Sequence, residues 1–177
     1  MKKLMRLVFV LCLLVFGTQV AFANSDKATI LEGADITGIH RLALAKPLYI
    51  PSSNLAPTMD QLIQIEGDAS KVARMYVIPY PTAAESVKTD TQVDILALDR
   101  HQAAKVFKDN ASKYADAYVV LTVANDSRTS FFFDVYKAGT NELLYTYQNF
   151  CEQFYKNFER SIADQQKDND KAEKKAK

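Results

Sequence analysis

The run Ala117-Tyr-Val-Val-Leu-Thr-Val-Ala124 constrains this chain more than any other segment. It is apolar and rich in β-branched residues, and it reads as the central strand of a sheet. Asn125-Asp-Ser-Arg128 and Lys137-Ala-Gly-Thr-Asn-Glu142 carry turn chemistry, and they separate strand-like segments at Thr129 to Lys137 and Leu143 to Phe150. Turns this short join antiparallel neighbours, so the pattern predicts a three-strand meander.

Upstream the pattern alternates between strand and helix. Thr37 to Ile50 reads as a strand with Leu42 and Leu44 on one face and the small Ala43 and Ala45 between them, frayed by Pro47 and Pro51. Thr58 followed by Gln61 is a capping box, and Leu62, Ile65, Ala69 and Val72 fall at helical spacing behind it. Gly67 weakens that helix by about 1 kcal/mol relative to Ala. Met75 to Tyr80 is a second short strand, and Thr82 with Glu85 repeats the capping-box spacing. Asp99 is placed to cap a longer helix whose inward face is Ala103, Val106, Phe107, Ala111 and Tyr114. A closing helix runs from about Cys151 to Asp164, with Phe150, Phe154 and Phe158 one turn apart.

The order is β-α-β-α-β-β-β-α. Helical crossovers imply parallel pairing and right-handed connections, whereas the meander is antiparallel. The expected fold is therefore α/β with α+β character, a mixed sheet of about five strands with helices packed on it.

The N-terminus reads as an address. Lys2, Lys3 and Arg6 precede the apolar run Leu7 to Phe16, and Ala21-Phe22-Ala23 supplies a small-residue cleavage pattern. Ten apolar residues fall short of the roughly 20 that a membrane span needs. A bacterial-type signal peptide at 1–23, cut after Ala23, is the expectation, with periplasmic or secreted localisation and membrane contact only through the uncleaved signal. The remaining organisation is a lead-in at 24–36, one domain at 37–163 and a charged, flexible tail at 164–177. That tail has no apolar stripe; it either extends the helix into solvent or is disordered.

Composition excludes some partners. The chain has 22 Lys and Arg against 21 Asp and Glu, so it lacks the basic excess with which nucleic-acid binders neutralise phosphate. Loss of the leader removes three basic residues and Cys12, leaving Cys151 without an internal disulfide partner. The spacing of Cys151, Tyr155, Phe158 and Ile162 suits a buried thiol. His40 and His101 stand apart, outside any metal-ligand spacing, and the single glycines form no phosphate-binding loop. No metal, cofactor or catalytic residue is assigned. Asp90, Asp94, Asp99 and Asp134 are the carboxylates that an exported hydrolase would have to bring together.

Aromatics are the unusual feature: ten lie between Phe131 and Phe158. On a strand Phe131 and Phe133 share one face while Phe132 and Tyr136 take the other. One set serves the core; the other lies beneath a second layer or forms an exposed patch for a partner, with Phe132, Tyr136, Tyr145 and Tyr147 as its candidate residues. Which face is outward is left open.

Tyr114-Ala-Asp-Ala-Tyr-Val-Val-Leu-Thr-Val123, the Phe-rich hairpin after it and the Glu142-Leu-Leu-Tyr145 strand resemble bacterial envelope domains of the CsgG/TolB N-terminal-like type. The resemblance covers about residues 37–163. It implies a mixed αβ envelope domain with a role in interaction or assembly, and it carries over no catalytic residue. The leading expectation is thus a non-enzymatic domain that binds an envelope protein or cell-wall component. The alternatives are the hydrolase and a small-ligand binding protein, which would need an apolar cavity instead of a flat patch.

Overall fold

A computed structural model describes residues 27–51, 57–125 and 129–176. The leader and the Asn125–Arg128 turn, apart from the backbone of Asn125, lie outside the described residues. The elements are β1 (Lys27–Ile30), β2 (Arg41–Leu44), β3 (Leu48–Pro51), α1 (Met59–Ser70), β4 (Tyr76–Ile78), α2 (Tyr80–Thr91), α3 (Arg100–Asn110), a 3-10 turn (Ala111–Lys113), β5 (Ala117–Asn125), β6 (Thr129–Lys137), β7 (Leu143–Gln148) and α4 (Cys151–Ala176). They form the mixed α/β fold expected, with a sheet of seven described strands, six in the order β1-β7-β6-β5-β2-β4 and β3 paired to β5 beside that path.

β5 occupies the centre. Its first half pairs in parallel with β2 and its second half in parallel with β3, while its whole length pairs antiparallel with β6. The segment expected to be one strand is therefore two strands on the same edge of β5. Pro47 cannot donate to a ladder, and the break falls at Ala45–Pro47, where the Ala45 amide still donates to the Val119 carbonyl at 2.9 Å. β1, which the sequence pattern does not announce, adds an exposed antiparallel edge to β7.

The connection from β2 to β4 carries α1, and the return from β4 to β5 carries α2 and α3 across β2. The two connections step in opposite directions, so right-handedness sends their helices to opposite faces. Contacts agree. α1 packs with α4, and on that face Phe154 stacks on Phe133 at 4.5 Å. On the other face Phe107 of α3 meets Tyr118 edge-on at 5.8 Å.

Local chemistry explains most helix starts. Thr58 and Gln61 exchange both bonds of the capping box, and Asp99 accepts from the amides of His101 and Gln102. The Thr82–Glu85 box does not form: α2 starts earlier, behind Pro79 with Pro81 in its first turn. A proline there loses no helix bond and has its φ already set. The inward face of α1 also differs from expectation. Ile65 and Val72 are exposed, and Leu62, Glu66 and Ala69 point inward. Likewise Phe150 is exposed, ahead of a helix that buries Phe154 and Phe158. α4 runs on past Asp164 to Ala176; Gln165 is tied down by accepting from the Ile36 amide and donating to the Ala34 carbonyl.

Candidate functional site

The four candidate aromatics do not share a surface. Tyr145 and Tyr147 are 0% and 2% exposed beneath α4, in the cluster around Phe154. Phe132 and Tyr136 are on the opposite face and only partly exposed. Tyr136 stacks on buried Tyr118 with ring centroids 5.3 Å apart, and the Lys108 ammonium lies 5.9 Å from its centroid. Between them on β6, half-buried Asp134 has its carboxyl pushed above the usual value by desolvation. The other acids are engaged separately: Asp94 pairs with Lys88 at 3.0 Å, Asp90 with Lys113 at 3.9 Å, and Asp99 caps α3.

Asp116, the acid of the Ala115-Asp116 pair, has a structural task. Its carboxylate accepts from the His40 and Arg41 amides at 2.9 and 2.8 Å, pinning the start of β2 beside β5.

A crevice opens where the chain reverses direction along the sheet. Connections leaving β2 and β4 depart over opposite faces, which is the arrangement that leaves a gap beyond the carboxyl ends of parallel strands. Residues after β2 (Ala45 to Tyr49), Tyr80 after β4, Met59 at the start of α1, the first two turns of α3 and Val120 of β5 enclose a cavity of about 450 Å³. Its floor is apolar, made by Pro47, Leu48, Ala103, Phe107 and Val120. Lys46, Arg100, His101 and Lys108 line it as well, and no Asp or Glu does. Among the described residues, the buried hydroxyls of Tyr49 and Tyr80 have no hydrogen-bond partner. Burial pushes the Tyr80 phenol above its ordinary pKa, and the charge of Asp94 adds to this.

Sequence reasoning missed this site because its residues come from separate segments, each bland alone. His101 reads as a solvated helix residue and Tyr80 as the end of a strand. The one signal available was the β-α-β-α-β order, which permits a reversal in the sheet without placing it.

A second buried polar cluster lies between α1 and α4. Glu66 is 1% exposed, and among the described residues neither of its carboxylate oxygens has a partner. Desolvation pushes its pKa well above 4.5. Cys151 is free and buried; burial, reinforced by Glu66, pushes its thiol up to about 12. The Tyr155 phenol is raised for the same reasons. A thiol held protonated is a poor nucleophile, so burial leaves Cys151 inert. Among the described residues no cluster of His, Cys, Asp and Glu could hold a metal ion, and no helix is long and apolar enough to cross a membrane.

No protein-family model matches the chain, and a search of curated proteins finds no match. Among solved structures, it is similar to the LpoB C-terminal domain from Escherichia coli, with 12% identity, a TM-score of 0.47, and coverage of 66% of this chain and 86% of that one. The LpoB C-terminal domain from Salmonella enterica follows at 10% identity, TM-score 0.41, covering 67% and 84%. The PelC dodecamer from Paraburkholderia phytofirmans gives 9% identity, TM-score 0.38, covering 70% and 78%. The likeness to CsgG/TolB domains rests on the sequence pattern alone.

Proposed function

We propose that this chain is an exported, non-enzymatic envelope domain that acts by binding, and that its binding site is the crevice between β2, β4 and α3. The export pattern of residues 1–23 supports the compartment. The crevice carries the reading: a concave, mostly apolar cavity with a few convergent polar groups is what a small-molecule site requires, and it lies at the switch point of the sheet. This favours ligand binding over the flat aromatic patch.

The test is native mass spectrometry of the chain from Asn24 onward after incubation with envelope extract. Ala104 is exposed and lines the crevice, so Ala104→Trp blocks it from the rim and leaves the core alone. A discrete bound mass on the wild type that Ala104→Trp abolishes is the expected result. A bound mass that survives Ala104→Trp defeats the proposal.

A second reading keeps Phe132 and Tyr136 as a docking face for an envelope protein, because both aromatics stay partly exposed on a sheet face. Replacing each with Ser tests it: loss of crosslinking to that partner in the native envelope, with the domain still folded, supports it. Unchanged crosslinking ends it.

A further inference from the structure

We infer that the crevice takes one molecule of a small anionic amphiphile, an apolar body ending in a carboxylate or phosphate monoester. This deepens the binding role proposed above and rests on it. The apolar floor of Leu48, Phe107 and Val120 offers nothing to a fully hydrated ion, and the cavity of about 450 Å³ is within the roughly 300–1,000 Å³ of small-molecule sites. The body of the ligand must therefore be apolar.

The headgroup follows from the charges. Lys46, Arg100 and Lys108 line the cavity, and none joins an ion pair among the described residues, although exposed lysines just after α1, on α2, on α3, in the 3-10 turn and on α4 do. Asp94, the carboxylate that bears on Tyr80, is held by Lys88. The lining of the crevice thus carries positive charge and no acid, with Asp94 the carboxylate whose charge still reaches Tyr80, and low-dielectric walls strengthen the lining charges. Tyr80 and Tyr49 also line the crevice, and among the described residues their buried hydroxyls have no partner. A buried hydroxyl lacking a partner is uncommon in folded proteins, and a phenol O–H donates well to an anionic oxygen. Both apolar lining and donor set are met together only by an amphiphile.

Calorimetric titration of the chain from Asn24 onward distinguishes the possibilities, with decyl phosphate kept monomeric. Decyl maltoside tests the apolar body, inorganic phosphate the head, and phosphatidylglycerol vesicles a bilayer source. We expect decyl phosphate to bind at least ten-fold more tightly than decyl maltoside, and inorganic phosphate and vesicles to bind more weakly still. Arg100→Gln with Lys108→Gln, both on or near the rim, should remove that ten-fold advantage and leave decyl maltoside unchanged. Tyr80→Phe should weaken decyl phosphate alone. Equal affinity for the two decyl compounds overturns the anionic assignment, inorganic phosphate matching decyl phosphate overturns the amphiphile, and vesicle binding without monomer binding overturns the single-molecule site. These failures are separable from failure of the binding role, which is read from the effect of Ala104→Trp on the natural ligand.

Discussion

Glu66 is the residue whose replacement has the most readable consequence. Its side chain is 1% exposed between α1 and α4, both carboxylate oxygens lack partners among the described residues, and desolvation holds its pKa well above 4.5. In the unfolded chain the group ionises near 4.5; in the folded chain it keeps its proton to higher pH. Between those two values the folded state carries one proton more, so stability falls as pH rises, by about 1.4 kcal/mol per pH unit at most. The contribution is fully present below pH 4.5 and is lost as pH climbs through the folded pKa. The loss accumulates at that slope across the whole window between the unfolded and folded pKa, against a total stability of typically about 5–15 kcal/mol.

Urea unfolding at half-unit steps from pH 5 to 8 measures the slope, and Glu66→Gln, of similar shape but without the titration, should flatten it. Few other shifted groups compete there. Cys151 and Tyr155 titrate above the window, and the lowered carboxyls of Asp35 and Asp94 ionise below it. Asp134 is raised in the same sense but is only half-buried, so Asp134→Asn serves as the control. A slope that persists in Glu66→Gln, or wild-type stability that rises with pH across the window, refutes the reasoning.

Phe154 is wholly buried and meets Phe133, Tyr145, Tyr147, Tyr155 and Phe158; Phe154→Ala should cost about 3–5 kcal/mol, read as a fall in the urea midpoint. Asp99→Ala removes the α3 cap and should cost about 1 kcal/mol, with Asp99→Asn restoring most of it. The Cys151 thiol, held protonated up to about pH 12, should resist iodoacetamide at pH 8 in the native chain and react on addition of urea. Ala104→Leu puts apolar atoms over the crevice and should raise thermal stability by about 1 kcal/mol while abolishing ligand binding.

The elements legible in the sequence are those decided by local chemistry. Asp99 at an N-cap, Thr58 with Gln61, and the turn at Ala138–Glu142 act within a few residues, and each is where the pattern puts it. Elements decided by neighbours were not legible. β1 has only Lys27-Ala-Thr-Ile30 to offer and becomes a strand because β7 presents a free edge. The face that α1 turns inward is set by its packing on α4, which selects the narrow stripe Leu62, Glu66 and Ala69 over a broader one containing Ile65. No periodicity argument would bury a glutamate in preference to an isoleucine. The aromatic faces were separable by alternation, but which one α4 covers depends on a contact across the whole meander.

The position of the crevice follows from the same sequence that builds the core. α2 and α3 approach the sheet closely because Ala83, Ala84, Ala103 and Ala111 are buried with almost no side chain to hold them off. That closeness packs Phe107 against Tyr118 near the start of β5, where β2 is still paired. Further along, the Ala45–Pro47 break interrupts the sheet edge, and the alanines at the start of α3 offer nothing large enough to refill the gap. A proline and small side chains therefore open a cavity at one end of a sheet whose opposite face is filled by stacked rings. Hydrophobic burial alone would favour a larger residue at Ala104 and a partner for the Tyr80 hydroxyl. Their absence costs stability in the unliganded chain, and a ligand of the proposed kind, filling the space and accepting from the phenol, would offset that cost.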